Sequence, residues 1–232
     1  MALFYVIATP IGNMEDISLR SIRILKEVDI ILCEDTRVTK KILNKYDIHT
    51  NTMSYHSQSG EAKVEIILEK IGEGKNIALV TDAGTPGISD PGSMLVSTIR
   101  EKYKDEIKSG DLKIIGIPGP SALTGALSIA GVPSHEFIFL GFMPHKKGRE
   151  TLFKEIQLSE RTIVFYESPH RIMKTLESLK EYLGETNKKV TIVRELTKIY
   201  EEVVQGSAEE VFSIFSFNKE KQRGEFVVIV SN

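Results

Sequence analysis

The chain has 232 residues, of which 41% are hydrophobic and 27% charged, so wholesale disorder is excluded and a globular protein with a substantial core is expected. The formal net charge of −2 excludes a protein that holds nucleic acid by an overall positive charge, and any RNA or DNA must meet a local basic patch. The apolar runs are too short to span a bilayer, the N-terminus lacks a signal-peptide pattern, and Cys33 is the only cysteine. We therefore expect a cytoplasmic protein with no membrane partner and no internal disulfide.

Short apolar runs alternate with longer amphipathic stretches, a pattern typical of an α/β fold. In the first half, apolar runs predict strands at residues 3–8, 29–33, 76–81 and 112–117. Helical spacing of apolar residues predicts helices at 17–28, 36–46, 61–71, 92–103 and 121–130. This succession predicts a mostly parallel N-terminal sheet.

The second half contains fewer predicted helices and more strands that follow one another directly. Strands are predicted at 137–142, 162–166, 190–194, 200–206 and 226–230, with a helix at 170–183. Hairpin-like succession favours a mixed or antiparallel sheet. We predict two α/β domains, residues 1–117 with the ligand-binding loops and residues 118–232, with a boundary near Pro118.

Three loops share one plan, in which an apolar strand is followed by Gly, Pro, Thr and Ser residues and then by a helix. They are ATPIGN at 8–13, TDAGTPGISDPG at 81–92 and PGPSA at 118–122. The carboxyl ends of parallel strands lie at one edge of a sheet, where α/β proteins bind ligands. Glycine lets the backbone approach a ligand closely and proline restrains the loop, so these loops predict a rigid cradle for a small molecule.

The alternative is that the loops are tight turns with no ligand. It suits PGPSA best, because Ser121 is also a good cap for the helix that follows. It suits TDAGTPGISDPG less well, because connections in α/β units usually have about 2–6 residues.

The loop composition limits the identity of the small molecule. The dinucleotide fingerprint GxGxxG and the phosphate loop GxxxxGK[ST] are both missing from the sequence, which argues against nucleotide phosphates. Carbonyl oxygens, hydroxyls and a few acids suit a ligand with positive charge and hydroxyl groups. The sulfonium and ribose of S-adenosylmethionine fit that description.

Long motifs along the whole chain carry a family resemblance. They are ATPIGNMEDIS, CEDTR, TDAGTPGISDPG, PGPSALTGALSIAG, FLGFMPHKKGR, VFYESPHR, RELTKIYEEVVQG and RGEFVVIV. On these motifs the sequence resembles the ribosomal RNA small subunit methyltransferase I family, part of the tetrapyrrole methylase-like superfamily of S-adenosylmethionine-dependent enzymes. Within that superfamily, methylases of porphyrin precursors typically open with a GxGPGDxxLLT-like loop and diphthine synthases with a GLGLGD-like loop, whereas this chain has ATPIGN.

The resemblance implies a two-domain, kidney-shaped tetrapyrrole methylase-like fold that binds the cofactor in the cleft between domains, and it implies a homodimer. The implied activity is methyl transfer to the ribose 2′-hydroxyl of a decoding-centre cytidine in 16S rRNA. Because the net charge is modest, we expect the assembled small ribosomal subunit to be preferred over naked rRNA. The competing hypotheses are a methylase of the same fold with a tetrapyrrole-like acceptor, which ATPIGN and RELTK oppose, and a non-catalytic, cofactor-sensing RNA-binding module.

The resemblance also assigns the cofactor contacts, which are Pro10, Asp82, Gly84, Thr85, Ile88, Ser121, Ala122, Phe142, Leu196 and Thr197. A ribose hydroxyl is a poor nucleophile, so a general base is considered, and the candidates are Glu167, Glu195 and Lys198. Glu167 stands where a strand ends, although it is equally well placed to cap the helix near His170. Lys198 would have to lose its proton, which Glu201 and Glu202 oppose, and the alternative is a solvated lysine at a strand end.

RNA contact needs basic groups, and the candidates are Arg37, Lys40, Lys41, His145, Lys146, Lys147, Arg149, Arg171 and Arg194. Arg171 and Arg194 could instead pair with internal acids, and a charge run such as HKKGR is usually a solvated face. No metal is predicted, because the five histidines show no ligand spacing and neither CxxC nor HExxH occurs.

The sequence departs from the family pattern in two places. Relatives often have a His-x-His-Asn-Glu cluster where this chain reads SYHSQSGE, and only His56 aligns plainly. Many relatives also continue past the GEFV strand, whereas this sequence ends at Asn232, and we expect that difference to affect how the RNA is gripped.

Overall fold

A computed structural model describes residues 1–56, 58–90 and 92–232. Ser57 of the SYHSQSGE segment and Pro91 of the TDAGTPGISDPG loop lie outside the described residues. The chain divides into two compact units, Met1–Ser121 and Ala122–Asn232, a few residues beyond the boundary that we place before Pro118. Among the described residues, no helix is both long enough and apolar enough to cross a bilayer.

The first unit is built on a parallel sheet. Its strands are β1 (Ala2–Ile7), β2 (Ile30–Cys33), β3 (Asn51–Ser54), β4 (Ile77–Leu79) and β5 (Leu112–Ile117). They hydrogen-bond in the order β3-β2-β4-β1-β5, and every neighbouring pair is parallel. The prediction of a parallel N-terminal sheet is confirmed.

Helices cover both faces of this sheet. They are α1 (Leu19–Glu27), α2 (Thr36–Lys45), α3 (Glu61–Gly72), α4 (Gly92–Lys102) and α5 (Lys104–Ser109). Successive residues of a strand point to opposite faces, so Ile31 packs in one core cluster with Leu25 of α1 while Leu32 packs in another with Ile67 of α3. Burial on both faces explains why the strands read as continuous apolar runs.

The structure confirms the predicted strands and helices of the first unit with small shifts at their ends. The helix predicted at 17–28 begins later, at Leu19, because the Ser18 hydroxyl accepts a hydrogen bond from Ser21 N and caps it. Two elements are absent from the prediction. The edge strand β3 reads NTMS, which is short and polar, and α5 reads KDEIKS, which is too short and too charged to show a helical apolar face.

The second unit contains a mixed sheet, as predicted. Its strands are β6 (Phe137–Phe142), β7 (Thr162–Glu167), β8 (Lys189–Arg194), β9 (Glu202–Gly206) and β10 (Phe226–Ser231). The order is β6-β7-β10-β8-β9, in which β6 and β7 are parallel and the other neighbouring pairs are antiparallel.

Helices pack on both faces of this sheet as well. They are α6 (Ala122–Ala130), α7 (Arg149–Leu158), α8 (Ile172–Leu183) and α9 (Ala208–Phe217). Phe165 packs in a cluster with residues of α7, α8 and α9, whereas its neighbour Val164 packs with α6. Neither α7 nor α9 is among the predicted helices, although Ser207 and Glu210 form a capping box at the start of α9.

Candidate active site

Four loops leave the carboxyl ends of strands in the first unit and meet at one edge of its sheet. The loops after β1, β4 and β5 are ATPIGN, TDAGTPGISDPG and PGPSA, and CEDTR follows β2. The neighbouring strands β1 and β4 continue in opposite directions, since β1 leads to β2 on one side and β4 leads to β5 on the other. Such a switch point is where open α/β sheets bind ligands.

Hydrogen bonds tie three of these loops together. Thr9 and Gly84 exchange backbone bonds of 2.9 Å and 3.0 Å, and the Thr9 hydroxyl donates to the carbonyl of Thr81 at 3.0 Å. The Thr85 hydroxyl donates to the carbonyl of Pro120 at 3.1 Å, which connects the second loop to the third. The loops therefore support one another instead of moving separately.

Two glycines allow the loops to come this close. Gly84 has φ +85°, in the left-handed region, and a Cβ there would lie 3.4 Å from Ile11 Cγ2. A Cβ on Gly119 would lie 3.0 Å from Ala8 Cβ, closer than side chains normally approach. At Gly84 a larger residue would strain its own backbone, and at Gly119 it would press on the neighbouring loop.

Asp90 closes the far end of the second loop. Its Oδ1 accepts hydrogen bonds from Gly87 N at 2.7 Å and from Gly92 N at 2.8 Å. Gly87 has φ +88°, and Ser89 adopts φ +66°, an unusual conformation for a residue with a side chain. The backbone of this segment is thus held in a strained form by its own aspartate.

The CEDTR loop is joined to the second loop through side chains. Asp82 Oδ1 accepts a hydrogen bond from Asp35 N at 3.1 Å, and the Thr81 hydroxyl donates to Glu34 Oε1 at 2.8 Å. Burial raises the pKa of Glu34 above its ordinary value, and the negative charges of Asp82 and Asp90 add to the shift against the lowering effect of the Thr81 hydrogen bond. Sequence reasoning missed Glu34, although its position directly after a buried strand is a signal for a functional acid.

The RELTK turn, residues 194–198, is a strained segment of the second unit. Glu195 and Thr197 have φ +50° and +67°, so two residues with side chains adopt the left-handed conformation. Such strain clusters at functional sites. Leu196 between them packs closely on α6, where a Cβ on Gly125 would lie 2.9 Å from Leu196 Cδ2.

Lys198 is held between two carboxylates in this turn. Its Nζ lies 2.9 Å from Glu195 Oε1 and 2.8 Å from Glu225 Oε2. Burial alone would lower the pKa of Lys198, but the hydrogen bonds to Glu225 and Glu195 outweigh it and raise the pKa above the ordinary value. For Glu195, burial is likewise outweighed by the hydrogen bonds from Lys198 and Glu225 N, so its pKa is lowered. The opposing acids are thus Glu195 and Glu225, not Glu201 and Glu202 as the sequence suggested.

Glu167, the third predicted catalytic residue, lies at the end of β7 and is only 1% exposed. Both of its carboxylate oxygens accept hydrogen bonds, from Ser168 N at 2.8 Å and from the Thr175 hydroxyl at 2.6 Å. Arg171 Nη2 lies 2.9 Å from Glu167 Oε1, and Arg149 Nη1 lies 3.8 Å from Oε2. The predicted base is therefore surrounded by fixed donors.

The other predicted cofactor residues of the second unit lie near the RELTK turn and near Glu167. Ala122 and Leu196 pack against one core cluster, together with Tyr166. Phe142 is 54% exposed and contacts the Tyr166 ring edge-on, with 5.4 Å between centroids. The structure thus brings Phe142, Tyr166 and Glu167 to the ends of the neighbouring strands β6 and β7.

The predicted RNA contacts fall into two groups. Lys146 and Lys147 are exposed in the loop before α7, as is His145, and Lys40 and Lys41 are exposed on α2. The others bond to groups of the protein, although the side chain of Arg37 remains 88% exposed. Arg37 forms a pair with Asp35 at 2.6 Å and, by its hydrogen bonds, lowers the pKa of Asp35 to about 2. Arg194 donates to the carbonyls of Arg223 and Glu220, while Arg149 and Arg171 surround Glu167.

Comparison with known proteins places the chain in a family. The family model of tetrapyrrole (corrin/porphyrin) methylases matches residues 3–211. The chain belongs to the tetrapyrrole methylase family. It is therefore a methyltransferase, and the expected fold and family resemblance are confirmed.

Tetrapyrrole methylase relatives with curated names resemble this chain over nearly its full length. A protein of Thermotoga maritima named ribosomal RNA small subunit methyltransferase I is 41% identical, over 100% of this chain and 99% of the relative. Proteins of the same name from Halalkalibacterium halodurans and Escherichia coli O157:H7 are 44% and 41% identical over 97% of this chain, which spans 74% and 76% of their lengths.

Solved structures show the same methylase fold at low sequence identity. The methyltransferase CobJ has a TM-score of 0.67 at 18% identity, with 100% of this chain and 93% of that chain covered. A diphthine synthase has a TM-score of 0.67 at 16% identity, with coverage of 100% and 90%. At this identity the comparison establishes the fold alone.

The loops of the first unit suit the cofactor that tetrapyrrole methylases use. ATPIGN, TDAGTPGISDPG and PGPSA contain no lysine or arginine that would repel a sulfonium. Thr85 offers a hydroxyl, the glycines leave the backbone accessible, and Ile88 is 42% exposed despite its apolar side chain. Pro10 is buried beside the Thr9–Gly84 bridge and fixes the backbone there. The donor and acceptor groups fit S-adenosylmethionine.

Among the described residues, no cluster of three or more His, Cys, Asp or Glu side chains has the geometry to hold a metal ion. Cys33 is buried in β2 and packs in the core. Besides Glu34, sequence reasoning missed Glu225, Thr175 and Asp90. Glu225 and Thr175 gain their importance from partners in other elements, Lys198 and Glu167, which no local pattern in the sequence reveals. Asp90 instead bonds to Gly87 N and Gly92 N of its own loop.

Proposed function

We propose that this protein transfers a methyl group from S-adenosylmethionine to the ribose 2′-hydroxyl of a decoding-centre cytidine in 16S rRNA. The observation that carries the proposal is the match, at 41–44% identity over 97–100% of this chain, to proteins named ribosomal RNA small subunit methyltransferase I. The choice of a decoding-centre cytidine and of the 2′-hydroxyl rests on the motif resemblance, with ATPIGN and RELTK as its most specific parts. Methylation of rRNA would take place in the cytoplasm.

When bound, the cofactor supplies a methyl group on a positively charged sulfur. The proposed contacts from the first unit are Pro10, Asp82, Gly84, Thr85, Ile88 and Ser121. Those from the second unit are Ala122, Phe142, Leu196 and Thr197. The hydrogen bonds between the loops support this proposal, because a cradle that is already ordered loses little conformational entropy on binding.

Methyl transfer to an alcohol depends mainly on alignment of the reacting atoms and on exclusion of water. We infer that Lys198 acts as an ammonium ion held by Glu195 and Glu225, since both carboxylates stabilise its charge. In this form it donates hydrogen bonds and does not remove the 2′-hydroxyl proton, which passes to solvent as the O–CH3 bond forms and the S–CH3 bond breaks. Glu195 orients it and is itself fixed by Glu225 N at 2.9 Å.

We infer that the rRNA is bound by exposed lysines, among them Lys146 and Lys147, whose loop directly follows Phe142 at the end of β6. Neither forms an ion pair with any residue that the structure describes, so their charges are available for phosphates. Because the net charge of the chain is −2, such a patch gives modest affinity, which favours the assembled small subunit over naked rRNA. The homodimer implied by the resemblance is part of the same proposal, and sedimentation of the purified protein tests it.

The test of the proposed function uses small ribosomal subunits from a strain that lacks the modification. The protein is incubated with them and labelled S-adenosylmethionine, and the label is mapped by nuclease digestion and mass spectrometry. A single ribose-methylated cytidine in the decoding region is the expected result. Cofactor binding without label on rRNA would contradict the proposal and favour another acceptor, and equal methylation of naked 16S rRNA would contradict the preference for assembled subunits.

A further inference from the structure

The second unit contains a buried ionic network. Glu167 is its centre, with a side chain that has no exposed surface. Its Oε2 accepts a hydrogen bond of 2.6 Å from the Thr175 hydroxyl, which in turn accepts one of 2.7 Å from Arg149 Nη2. Its Oε1 faces Arg171 Nη2 at 2.9 Å. A carboxylate buried in this way persists only because charged and polar partners satisfy it.

Both arginines of the network also hold the loop that precedes α7. Arg171 Nη1 donates to the carbonyl of Met143 at 2.6 Å, and Arg149 Nη1 donates to that of Pro144 at 3.4 Å. At the other end of the loop, Arg149 N donates to the carbonyl of Lys146 at 3.3 Å. The loop 143–148 is therefore tied to Glu167 through two guanidinium groups.

The tied loop carries two lysines, Lys146 and Lys147, that form no ion pair with any residue the structure describes. His145, Lys146 and Lys147 are exposed, whereas the side chain of Arg149 is only 9% exposed. A phosphate outside the protein would meet the lysines and could not reach a guanidinium so deeply buried. The sequence HKKGR thus separates into an outward-facing part and an anchoring arginine.

We propose that Glu167, Thr175, Arg149 and Arg171 form a clasp that holds the loop 143–148 in one conformation and so positions Lys146 and Lys147 for RNA phosphates. The inference rests on the proposed function, whose RNA-gripping element it specifies. It makes Glu167 and the two arginines positioning residues, where the sequence suggested a base and two RNA contacts. An ordered loop binds more tightly than a free one, because less side-chain and backbone freedom is lost on binding.

The matched variants are Thr175→Val and Thr175→Ser. Valine has nearly the shape of threonine but removes the hydroxyl that links Arg149 to Glu167, whereas serine keeps it. For Thr175→Val we expect KM for small subunits to rise about 5- to 20-fold, the size expected when a few ordered groups regain freedom. The kcat and the Kd for S-adenosylmethionine should stay within about twofold, and Thr175→Ser should match the unsubstituted protein.

Two further measurements separate positioning from a general structural effect. Amide hydrogen exchange at 145–149 should be faster in Thr175→Val than in Thr175→Ser, with core strands such as β7 unchanged. In a Lys146→Ala/Lys147→Ala background, Thr175→Val should no longer change KM, because the groups that the clasp positions are gone. If Thr175→Val does not fold, Arg171→Met replaces it, because Arg171 lies at the rim of the network, and the same measurements are made on that variant.

Unchanged exchange in the loop would overturn the clasp, and so would a loosened loop with unchanged KM or a loss of kcat alone. Failure of the proposed function looks different, because the unsubstituted protein would then not methylate or bind small subunits. Hydrogen exchange needs no RNA, so in that case it still decides whether Thr175 and Glu167 hold the loop.

Discussion

Thr9 and Gly84 exchange two backbone hydrogen bonds and form an antiparallel bridge beyond the end of a parallel sheet. Thr9 follows β1 and Gly84 follows β4, so the bridge joins the two loops at the switch point of the sheet. Since each loop restrains the other, a change at the bridge should reduce ligand affinity more than its direct effect on folding would suggest.

Gly84→Ala tests the bridge. At φ +85° an added Cβ costs about 1–2 kcal/mol of backbone strain, which falls on the bridge to Thr9, so we expect lower stability and S-adenosylmethionine binding weakened at least about tenfold. Gly110→Ala is the matched control, because Gly110 has φ +87° and an added Cβ meets no atom within 4 Å. It should lower the unfolding temperature similarly but leave the Kd from calorimetry unchanged. Equal effects of the two variants on the Kd would contradict the cradle.

Gly119→Ala tests the contact between the first and third loops. The new Cβ would lie 3.0 Å from Ala8 Cβ, which cannot rotate away, so we expect a loss of about 1–3 kcal/mol in the free energy of unfolding. Ala8→Gly removes the opposing methyl group. The double variant should regain part of the stability, and purely additive losses in denaturant unfolding would show that the two loops do not press on each other.

The periodicity of the sequence predicts most of the fold. Buried parallel strands such as β1 (ALFYVI) are apolar throughout. Amphipathic helices such as α3 carry their buried apolar residues at helical spacing. Prediction from the pattern fails where an element forms only because a neighbouring element pairs or packs with it. The strand β3 forms because residues 51–54 lie beside β2 in register, and nothing in NTMS alone favours a strand.

In the candidate site, too, local sequence patterns predict some features, and contacts between distant residues decide the others. The loops of the cradle can be located from sequence because Gly and Pro mark them. The roles of their side chains cannot, because these depend on contacts between distant residues. Arg149 looks like an RNA contact in HKKGR but faces Glu167 and Thr175, and Lys198 is stabilised by Glu225, 27 positions away.

Lys198 is predicted to act as a cation over the whole neutral range. Lys198→Arg should therefore retain a substantial part of the activity, whereas Lys198→Met should lose it. The raised pKa of Lys198 means that its contribution to stability is present below its ordinary 10.5 and is lost as pH rises through the folded value. The lowered pKa of Glu195 means that its contribution is present above its ordinary 4.5 and is lost as pH falls through the folded value.

The difference in unfolding free energy between the unsubstituted protein and Lys198→Met should accordingly be constant from about pH 6 to pH 9 and shrink outside that range. Denaturant titrations at several pH values measure it. A difference that changes steeply near pH 7, or an inactive Lys198→Arg, would instead indicate a lysine that loses its proton in the reaction.

Glu34→Gln should stabilise the protein at neutral pH. Because the folded pKa of Glu34 is raised, its contribution to stability is present below the ordinary 4.5 and is lost as pH rises through the folded value. Glutamine keeps an oxygen for the Thr81 hydroxyl and carries no charge toward Asp82 and Asp90. We expect the unfolding temperature to rise by roughly 1–2 °C at pH 7.5, allowing for solvent screening, and by less at pH 5. The exposed Glu177→Gln controls for the lost charge, and an equal gain there would refute a local effect.

Lys146→Ala/Lys147→Ala should weaken the grip on small subunits without changing cofactor affinity. Removal of two phosphate contacts should raise KM for subunits about tenfold near 0.1 M salt. It should also make the slope of log KM against log salt less steep by about 1.4, twice the value for one contact to single-stranded RNA. Lys154→Ala in α7 is the control, because Lys154 is paired with Glu150 at 2.7 Å. Steady-state methylation at three salt concentrations provides both quantities. If the double variant kept the slope of the unsubstituted protein, the loop 143–148 would not contact RNA phosphates, since a lost phosphate contact must appear as a smaller release of counterions.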